Sequence, residues 1–328
     1  MLTEVSGTPT AATPVVSVII PSYNTATFIG ETLESVFAQS FSHYEVIVIN
    51  DGAPDTMQLE AVLAPFLQRI RYIKQDNLGL AGTRNAGIRA ASGEFIAFLD
   101  SDDVWLPNFL TEQVAFFRRF PDFDLVYSDA ILFGDTPLAG RNFTSISPSN
   151  GAVTLEALLS LRCTPVASSV VAKRHIFFDV GMFDVSHRAC SEDWECWTRL
   201  AMGGVKIGYQ TQALMRYRIR KGSLSSNPIA LHDGALLALS KLEATGSLSA
   251  NESQAARKLR TFFTTEIDLH RGKQQLNCGD YSSAKQSFLR VARNHSSSKA
   301  RIKMWCVVAG LSMSPTFTRF VANRVQPS

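Results

Sequence analysis

The sequence predicts an α/β fold, a mainly parallel sheet with helices on both faces, followed by a smaller helical appendage at the C-terminus. Three observations predict it. Short runs of β-branched and aromatic residues alternate with stretches whose apolar residues recur at helical spacing. The runs are apolar almost throughout instead of at every second residue, as strands covered on both faces are. The C-terminal part of the chain then changes in both pattern and charge.

Length and composition agree. The 328 residues suit one domain of about 200 to 250 residues plus a smaller one. Apolar residues make up 45% of the chain and charged residues 19%, with 21 phenylalanines, so a conventional core is available and global disorder is excluded. From Asn251 onward there are 13 Lys and Arg against 4 Asp and Glu, leaving 19 against 25 before it. The tail is basic and the main domain acidic. The five cysteines are odd in number and form no CxxC pair, which argues against a disulfide framework or structural zinc and favours a reducing, cytoplasmic setting.

In chain order, residues 1–14 are small, rich in Thr, Ala and Pro, and lack the apolar core of a secretory signal, so a flexible arm is expected. Val16 to Ile20 reads as a buried strand. Phe28, Ile29, Leu33, Val36 and Phe37 follow at helical spacing, and Glu45 to Ile49 is the next strand. The alternation continues with a helix near Thr56 to Gln68, a strand at Ile70 to Ile73, a helix over Ala81 to Ala90 and the strand Glu94 to Leu99. A helix is expected from Trp105-Leu-Pro107. Beyond Asp129 the pattern loosens into a Gly, Pro, Ser and Asn-rich stretch, with helices near Leu155 to Leu161 and Trp194 to Met202. Near the end, two long helical patterns flank Cys278-Gly279-Asp280-Tyr281, and Ala284-Lys-Gln-Ser-Phe288 matches the Ala-x3-Phe element of a tetratricopeptide helix pair. The expected units are 1–14, 15–230 and 231–328.

The informative chemistry is carboxylate placement. Asp51 follows one strand, and Asp100, Asp102 and Asp103 follow another, so acids from two strands meet along one sheet edge, where ligands of such sheets bind. An Asp-x-Asp at a strand end offers hard oxygen ligands. Mg²⁺ or Mn²⁺ held by one or two protein carboxylates completes its octahedron with phosphate oxygens and water.

Five pieces in order carry a resemblance: Val16-Ser-Val-Ile-Ile-Pro-Ser-Tyr-Asn24; Val46-Ile-Val-Ile-Asn50-Asp51-Gly52; Asn77-Leu-Gly79 with Ala81-Gly-Thr-Arg84-Asn85; Phe98-Leu-Asp100-Ser-Asp102-Asp103; and Ser191-Glu192-Asp193-Trp194. Together they resemble glycosyltransferase family 2, of the Rossmann-like GT-A fold, from about Val16 to Asn227. The resemblance implies an inverting enzyme that moves a sugar from a nucleotide diphosphate donor, a UDP-sugar by preference, to an acceptor hydroxyl of a glycan or lipid-linked saccharide in polysaccharide or glycoconjugate biosynthesis. It implies that Pro21, Tyr23 and Asn24 lie beside the base, that Asp51 binds the base, and that Arg84 lies near the donor. Asp102 is implied as the main contact of the divalent metal, Mn²⁺ or Mg²⁺, with Asp100 nearer the ribose or the sugar and Asp103 able to share either task. Glu192 and Asp193 are implied on the acceptor side, with Asp193 taking the proton from the attacking hydroxyl.

One departure stands out. Where many relatives have a His in Tyr-Arg-x-His-x-x-Ser-x-Ser, this chain reads Tyr217-Arg218-Ile219-Arg220-Lys221-Gly222-Ser223-Leu224-Ser225. A guanidinium cannot ligate a metal, so Arg220 and Lys221 are expected to bind the diphosphate as charges. In the tail, Lys299, Arg301 and Lys303 precede the apolar run Met304 to Met313, as in a basic helix lying at a membrane interface. A cytoplasmic protein is expected, whose tail helix either lies at the inner face of the plasma membrane or covers the catalytic domain as a core helix, with no spanning segment and no nucleic-acid partner. The alternative, a GT-A-like scaffold without turnover, would show a broken Asp-x-Asp or lack the acidic pair, and both are intact. An oxidoreductase would need GxGxxG after the first strand, where the chain has Pro21-Ser-Tyr-Asn-Thr-Ala.

Overall fold

The apolar run at Val16 becomes the central strand of a mixed sheet in a computed structural model that describes residues 3–6, 13–187, 190–295 and 297–311. In chain order the strands are β1 (Thr3–Ser6), β2 (Val16–Ser22), β3 (Tyr44–Asp51), β4 (Arg71–Gln75), β5 (Phe95–Phe98), β6 (Val104–Trp105), β7 (Leu125–Gly134), β8 (Val170–Lys173) and β9 (Ile207–Ile219). Among the described residues they form one sheet in the order β1-β4-β3-β2-β5-β8-β7-β9-β6. Strands β2 to β5 pair parallel to one another, as expected. Beyond them the sheet is mixed: β7 runs parallel to β9, β8 runs antiparallel to both β5 and β7, and β6 runs antiparallel to β9.

Seven helices accompany the sheet among the described residues: α1 (Ile29–Phe37), α2 (Thr56–Leu63), α3 (Gly79–Ala90), α4 (Phe109–Arg119), α5 (Leu155–Leu159), α6 (His175–Asp179) and α7 (Glu192–Met202). They cover both faces. Side chains alternate along β2, so Val18 and Ile20 pack with Leu33, Val36, Phe109 and Val114 on the face of α1, α2 and α4, while Ile19 packs with Ile88, Phe177 and Trp197 on the face of α3, α6 and α7. Helix α3 approaches β2 closely, since a Cβ on Gly87 would lie 2.4 Å from Ile19 Cγ2.

The order of the strands fixes where a ligand can sit. The chain moves outward from β2 through β3 to β4, then returns to the other side of β2 as β5. The crevice beyond the carboxyl ends of β2 and β5 is therefore the switch point of the sheet. Pro21 suits this place. Ile19 accepts the Leu99 N–H, so the side of Pro21 that lacks a donor faces β5, whose pairing with β2 has already ended at Phe98.

Two local expectations are corrected. The leader, expected as a flexible arm, contributes β1, whose backbone pairs antiparallel with β4. The residues around Trp105 form β6 instead of opening a helix, because Leu106 N–H and the strand pairing join them to β9, and α4 starts only at Phe109.

The chain divides into two compact units at Met1–Ser223 and Leu224–Ser328, seven residues before the boundary expected at 230. The second unit holds α8 (Pro228–Ala244), α9 (Ala250–Asn277), α10 (Tyr281–Asn294) and α11 (Ser298–Gly310). Ser249 and Glu252 form a capping box at the start of α9. Ala284 and Phe288, the Ala-x3-Phe pair, form the inner face of α10 and pack with Leu276, Val291 and Val307. Gly272 on α9 leaves room for the Phe288 ring.

Candidate active site

The site is assembled from the ends of β2, β3 and β5, the first turn of α7 and the end of β9. The turn after β2 carries Tyr23, which is 51% exposed, and Asn24, which takes a left-handed conformation at φ 55°, a region Asn tolerates better than most residues. Asp55 holds this turn, accepting from the backbone N–H of Asn24 at 3.1 Å and of Ala26 at 2.8 Å. Hydroxyls connect the same turn to the Asp-x-Asp loop: Ser22 Oγ to Thr25 Oγ1 at 3.1 Å, and Thr25 Oγ1 to Ser101 Oγ at 2.7 Å. Thr32 donates to the carbonyls of Ser101 and Asp103 at 3.0 and 2.8 Å. Ser168 supports the loop from below, accepting the Asp100 N–H at 3.0 Å.

Asp51 is buried, and its oxygens accept from Gln75 Nε2 at 2.6 Å and from the backbone N–H groups of Leu78 and Gly79, both at 2.9 Å. It therefore anchors the loop that opens α3, where the helix dipole favours a carboxylate.

Arg84 is 1% exposed, with one nitrogen donating to Asp100 Oδ1 at 2.8 Å and another to Glu192 Oε1. Both arms are used within the protein. The rings of Phe98 and Phe183 lie 5.9 and 5.5 Å from its Cζ. Arg84 thus gathers the end of β5 and the start of α7 onto α3.

The acidic pair opens α7 after Ser191, at φ 64°. Glu192 is buried against Arg84, whereas Asp193 is half-buried and accepts the Trp194 N–H at 2.7 Å. Burial raises Glu192 to about 7, opposed by Arg84 and reinforced by Asp193. Burial also raises Asp193, opposed by Arg84. The ion pair does not hold Glu192 in the usual carboxylate range because one guanidinium is shared among Glu192, Asp100 and the nearby Asp193.

In the Asp-x-Asp loop, Asp103 is buried, accepts the Arg218 N–H at 2.8 Å, and is pushed well above its ordinary range by burial and by Asp102. It joins β9 to the loop, which removes it from the roles it was expected to share. Asp102 is raised by burial and by Asp100. Its Oδ2 accepts from Arg220 Nε at 2.6 Å, and its carbonyl accepts from Arg218 Nε at 2.6 Å. Lys221 is exposed and has no ion-pair partner among the described residues. The donor set suits a hard divalent cation. Asp100 and Asp102 are partly open carboxylates, and among the described residues no His, Cys, Asp or Glu trio forms a ready cage. That is the pattern for a Mg²⁺- or Mn²⁺-type site completed by phosphate and water.

Sequence reasoning missed Asp55, Thr25, Thr32, Ser168 and Arg218. Asp55 carried a signal, since Gly-Ala-Pro-Asp55 before a helix reads as an N-cap. Its side chain makes no cap and instead spans to the β2 turn.

A pH dependence follows from Glu192. A carboxyl bound more tightly by its proton in the fold than in the unfolded chain stabilises fully below the ordinary value of 4.5 and loses that contribution as pH rises through about 7. Between pH 5 and pH 8 the protein is expected to lose more stability than Glu192→Gln, by on the order of 2 kcal/mol. Urea unfolding of both proteins across this range measures it; parallel pH profiles would contradict the assignment.

Comparison with known proteins agrees with this geometry. Residues 17–142 match the family described as glycosyl transferase family 2. An uncharacterized glycosyltransferase of Rickettsia felis is 28% identical over 194 residues, 57% of this chain and 31% of that protein. The chain thus spans about a third of the length of such relatives. The Escherichia coli UDP-Glc:alpha-D-GlcNAc-diphosphoundecaprenol beta-1,3-glucosyltransferase WfgD is 29% identical over 65% of this chain and 80% of its own. In structure, the mannosyltransferase PcManGT of Pyrobaculum calidifontis, solved with GDP-Man and Mn²⁺, superposes with a TM-score of 0.60 at 17% identity, covering 96% of this chain and 86% of that one. With the fold, the strand-end carboxylates and these matches in agreement, residues 17–142 of this chain match glycosyl transferase family 2, and the chain has the GT-A fold of the solved glycosyltransferase it superposes on.

Proposed function

We propose that the chain transfers a sugar, with inversion, from a nucleoside diphosphate sugar to the hydroxyl of a glycan or lipid-linked saccharide. One observation carries the reading: carboxylates from the end of β5 and from the first turn of α7 converge on a single buried guanidinium at the switch point of the sheet. UDP is the favoured nucleotide and a polyprenyl-diphosphate saccharide the favoured acceptor, because WfgD, a relative matched over most of its own length, uses that pair by name.

Asp102 and Asp100 are the residues that would hold a divalent metal, Mn²⁺ or Mg²⁺. When bound, such an ion neutralises charge that develops on the departing diphosphate. Tyr23 and Asn24 lie on the turn that would border the base, and Asp51 and Asp55 shape that border through the backbone they hold. Asp193 is the base. It lies in the same acidic cluster as Glu192 but is more open, and its raised proton affinity suits it to accept the proton of an attacking hydroxyl. Glu192, locked to Arg84, positions it. A single displacement by the acceptor oxygen opposite the leaving diphosphate inverts the anomeric carbon and needs no covalent sugar intermediate.

Helix α11 supports contact with an anionic bilayer. One face, including Met304, Val307 and Val308, is buried in the second unit's core. On the opposite face Ile302 and Trp305 are 64% and 47% exposed, Cys306 and Ala309 complete an i, i+3, i+4, i+7 stripe, and Lys299, Arg301 and Lys303 flank it. No Asp or Glu follows Asp280 in the sequence. No described helix is long and apolar enough to cross a membrane, so the contact is peripheral. A cytoplasmic enzyme at the inner face of the plasma membrane is the corresponding setting.

Calorimetry with UDP, GDP and TDP, with and without Mn²⁺, tests the donor site. Metal-dependent binding of one nucleotide, abolished in Asp102→Ala, is expected; Asp193→Asn should retain that binding while turnover falls by about 10² to 10⁴-fold. Binding of no nucleotide, or full turnover by Asp193→Asn, would refute these roles. Sedimentation with phosphatidylglycerol vesicles tests the bilayer contact. The intact chain should bind, and reversing the charges of Lys299, Arg301 and Lys303 should weaken binding by about a hundredfold or more. Equal recovery in the supernatant with and without vesicles would contradict it.

A further inference from the structure

Beyond the end of β9, a guanidinium already occupies one carboxylate of the Asp-x-Asp motif. Arg220 Nε lies 2.6 Å from Asp102 Oδ2, with side chains 18% and 17% exposed, so the pair is shielded from most of the solvent screening that weakens surface ion pairs. Asp102 is the ion-pair partner of Arg220 among the described residues, and the Phe28 ring supports the guanidinium, its centroid 4.9 Å from Cζ. Arg218, two residues earlier, is tied down differently: its Nε reaches the Asp102 carbonyl, its N–H reaches Asp103, and its guanidinium pairs with Glu31. The two arginines therefore divide the work. Arg218 fastens β9 to the loop, whereas Arg220 is held by one carboxylate and one ring face.

A guanidinium has no lone pair to offer a metal, and it repels a cation placed on the carboxylate it already bridges. A nucleoside diphosphate reverses the balance, because its oxygens offer Arg220 a second anion with the planar geometry a guanidinium prefers. We propose that Arg220 is a resident counter-ion that competes with a bare divalent cation for Asp102, and that it passes to the diphosphate when nucleotide and metal bind together. The site then takes up its metal as a complex with the nucleotide and has little affinity for the ion alone. This rests on the transfer reading above and adds an order of assembly to it. By reciprocity, the factor by which nucleotide raises metal affinity equals the factor by which metal raises nucleotide affinity, and Arg220 contributes to both.

The test is titration of Mn²⁺ into the full chain, followed by the electron paramagnetic resonance signal of the free ion, with and without saturating UDP. Without nucleotide, Arg220→Gln should bind Mn²⁺ at least about tenfold more tightly than the unsubstituted chain, the scale expected for removing a close cation at a shielded site. Arg220→His, which supplies a possible ligand, should do the same. Arg216→Gln is the control for net charge: it removes the same charge four residues earlier, on β9 and about 13 Å away along the extended backbone, beside Glu31, and should leave Mn²⁺ affinity within about twofold. The enhancement of Mn²⁺ affinity by UDP should shrink in Arg220→Gln. Equal Mn²⁺ affinity in Arg220→Gln and the unsubstituted chain would overturn the competition, as would an equal gain in Arg216→Gln. Mn²⁺ alone reads this inference without any nucleotide, whereas absence of nucleotide binding in the presence of Mn²⁺ would overturn the transfer reading and the exchange step with it.

Discussion

The Arg84 guanidinium, 1% exposed between Asp100 and Glu192, is the constraint around which the catalytic unit is arranged. Removing a cation from water costs several kcal/mol unless charge partners and good geometry offset it. Here the partners come from two elements far apart in sequence, the end of β5 and the first turn of α7. The buried charge therefore specifies how α3, β5 and α7 meet, and a fold that misplaced any of the three would leave it unpaired. Its Nε has no hydrogen-bond partner among the described residues, so the two carboxylates carry most of the compensation. The raised proton affinity of Glu192 and Asp193 comes first from their burial, which Arg84 opposes, and then from the neighbouring acids.

Around this centre the acids fall into two groups by what they touch. Asp51, Asp55 and Asp103 spend their oxygens on backbone N–H groups, and each fixes one loop at the mouth of the crevice: the start of α3, the turn after β2 and the end of β9. Asp100, Asp102 and Asp193 keep part of their surface open. The transfer proposed above would benefit from this division, because the loops are held before ligand arrives and the open carboxylates need little reorganisation. The hydroxyl chain from Ser22 through Thr25 to Ser101 does the same for the distance between the base-side turn and the Asp-x-Asp loop.

How much of this was legible in the sequence differs by element. Strands β2 to β5 announced themselves because both faces are covered and their side chains are apolar without interruption. Strand β9, with the sequence IGYQTQALMRYRI, is half-exposed and mixes polar with apolar residues without strict alternation, so no period marked it. Strand β6 is two residues long and exists only through its pairing with β9. The Asp-x-Asp motif was readable from its place after β5, but the burial of Arg84 was not read, because an arginine on a helix is normally solvated. A signal was present in its neighbours. Gly82, Thr83, Asn85, Ala86 and Gly87 are all small or short and all buried, the composition of a helix pressed close on several sides. The partition of tasks between Asp51, Asp102 and Asp103 depends on which backbone groups come within reach, and that is decided by tertiary structure alone.

The central claim is that the geometry of one guanidinium, and not merely its charge, assembles the site. Turnover of the nucleotide sugar of the proposed reaction, measured for Arg84→Lys beside the unsubstituted chain and alongside thermal unfolding of both, addresses it most directly. Lysine keeps the charge but reaches with a single ammonium and cannot bridge Asp100 and Glu192 in one plane. The account predicts a cooperatively folded Arg84→Lys protein whose turnover falls by about a hundredfold or more, the scale of an ångström-sized misplacement of catalytic groups. Turnover equal to that of the unsubstituted chain would contradict it, and would leave Arg84 as a buried charge whose geometry the chemistry does not use.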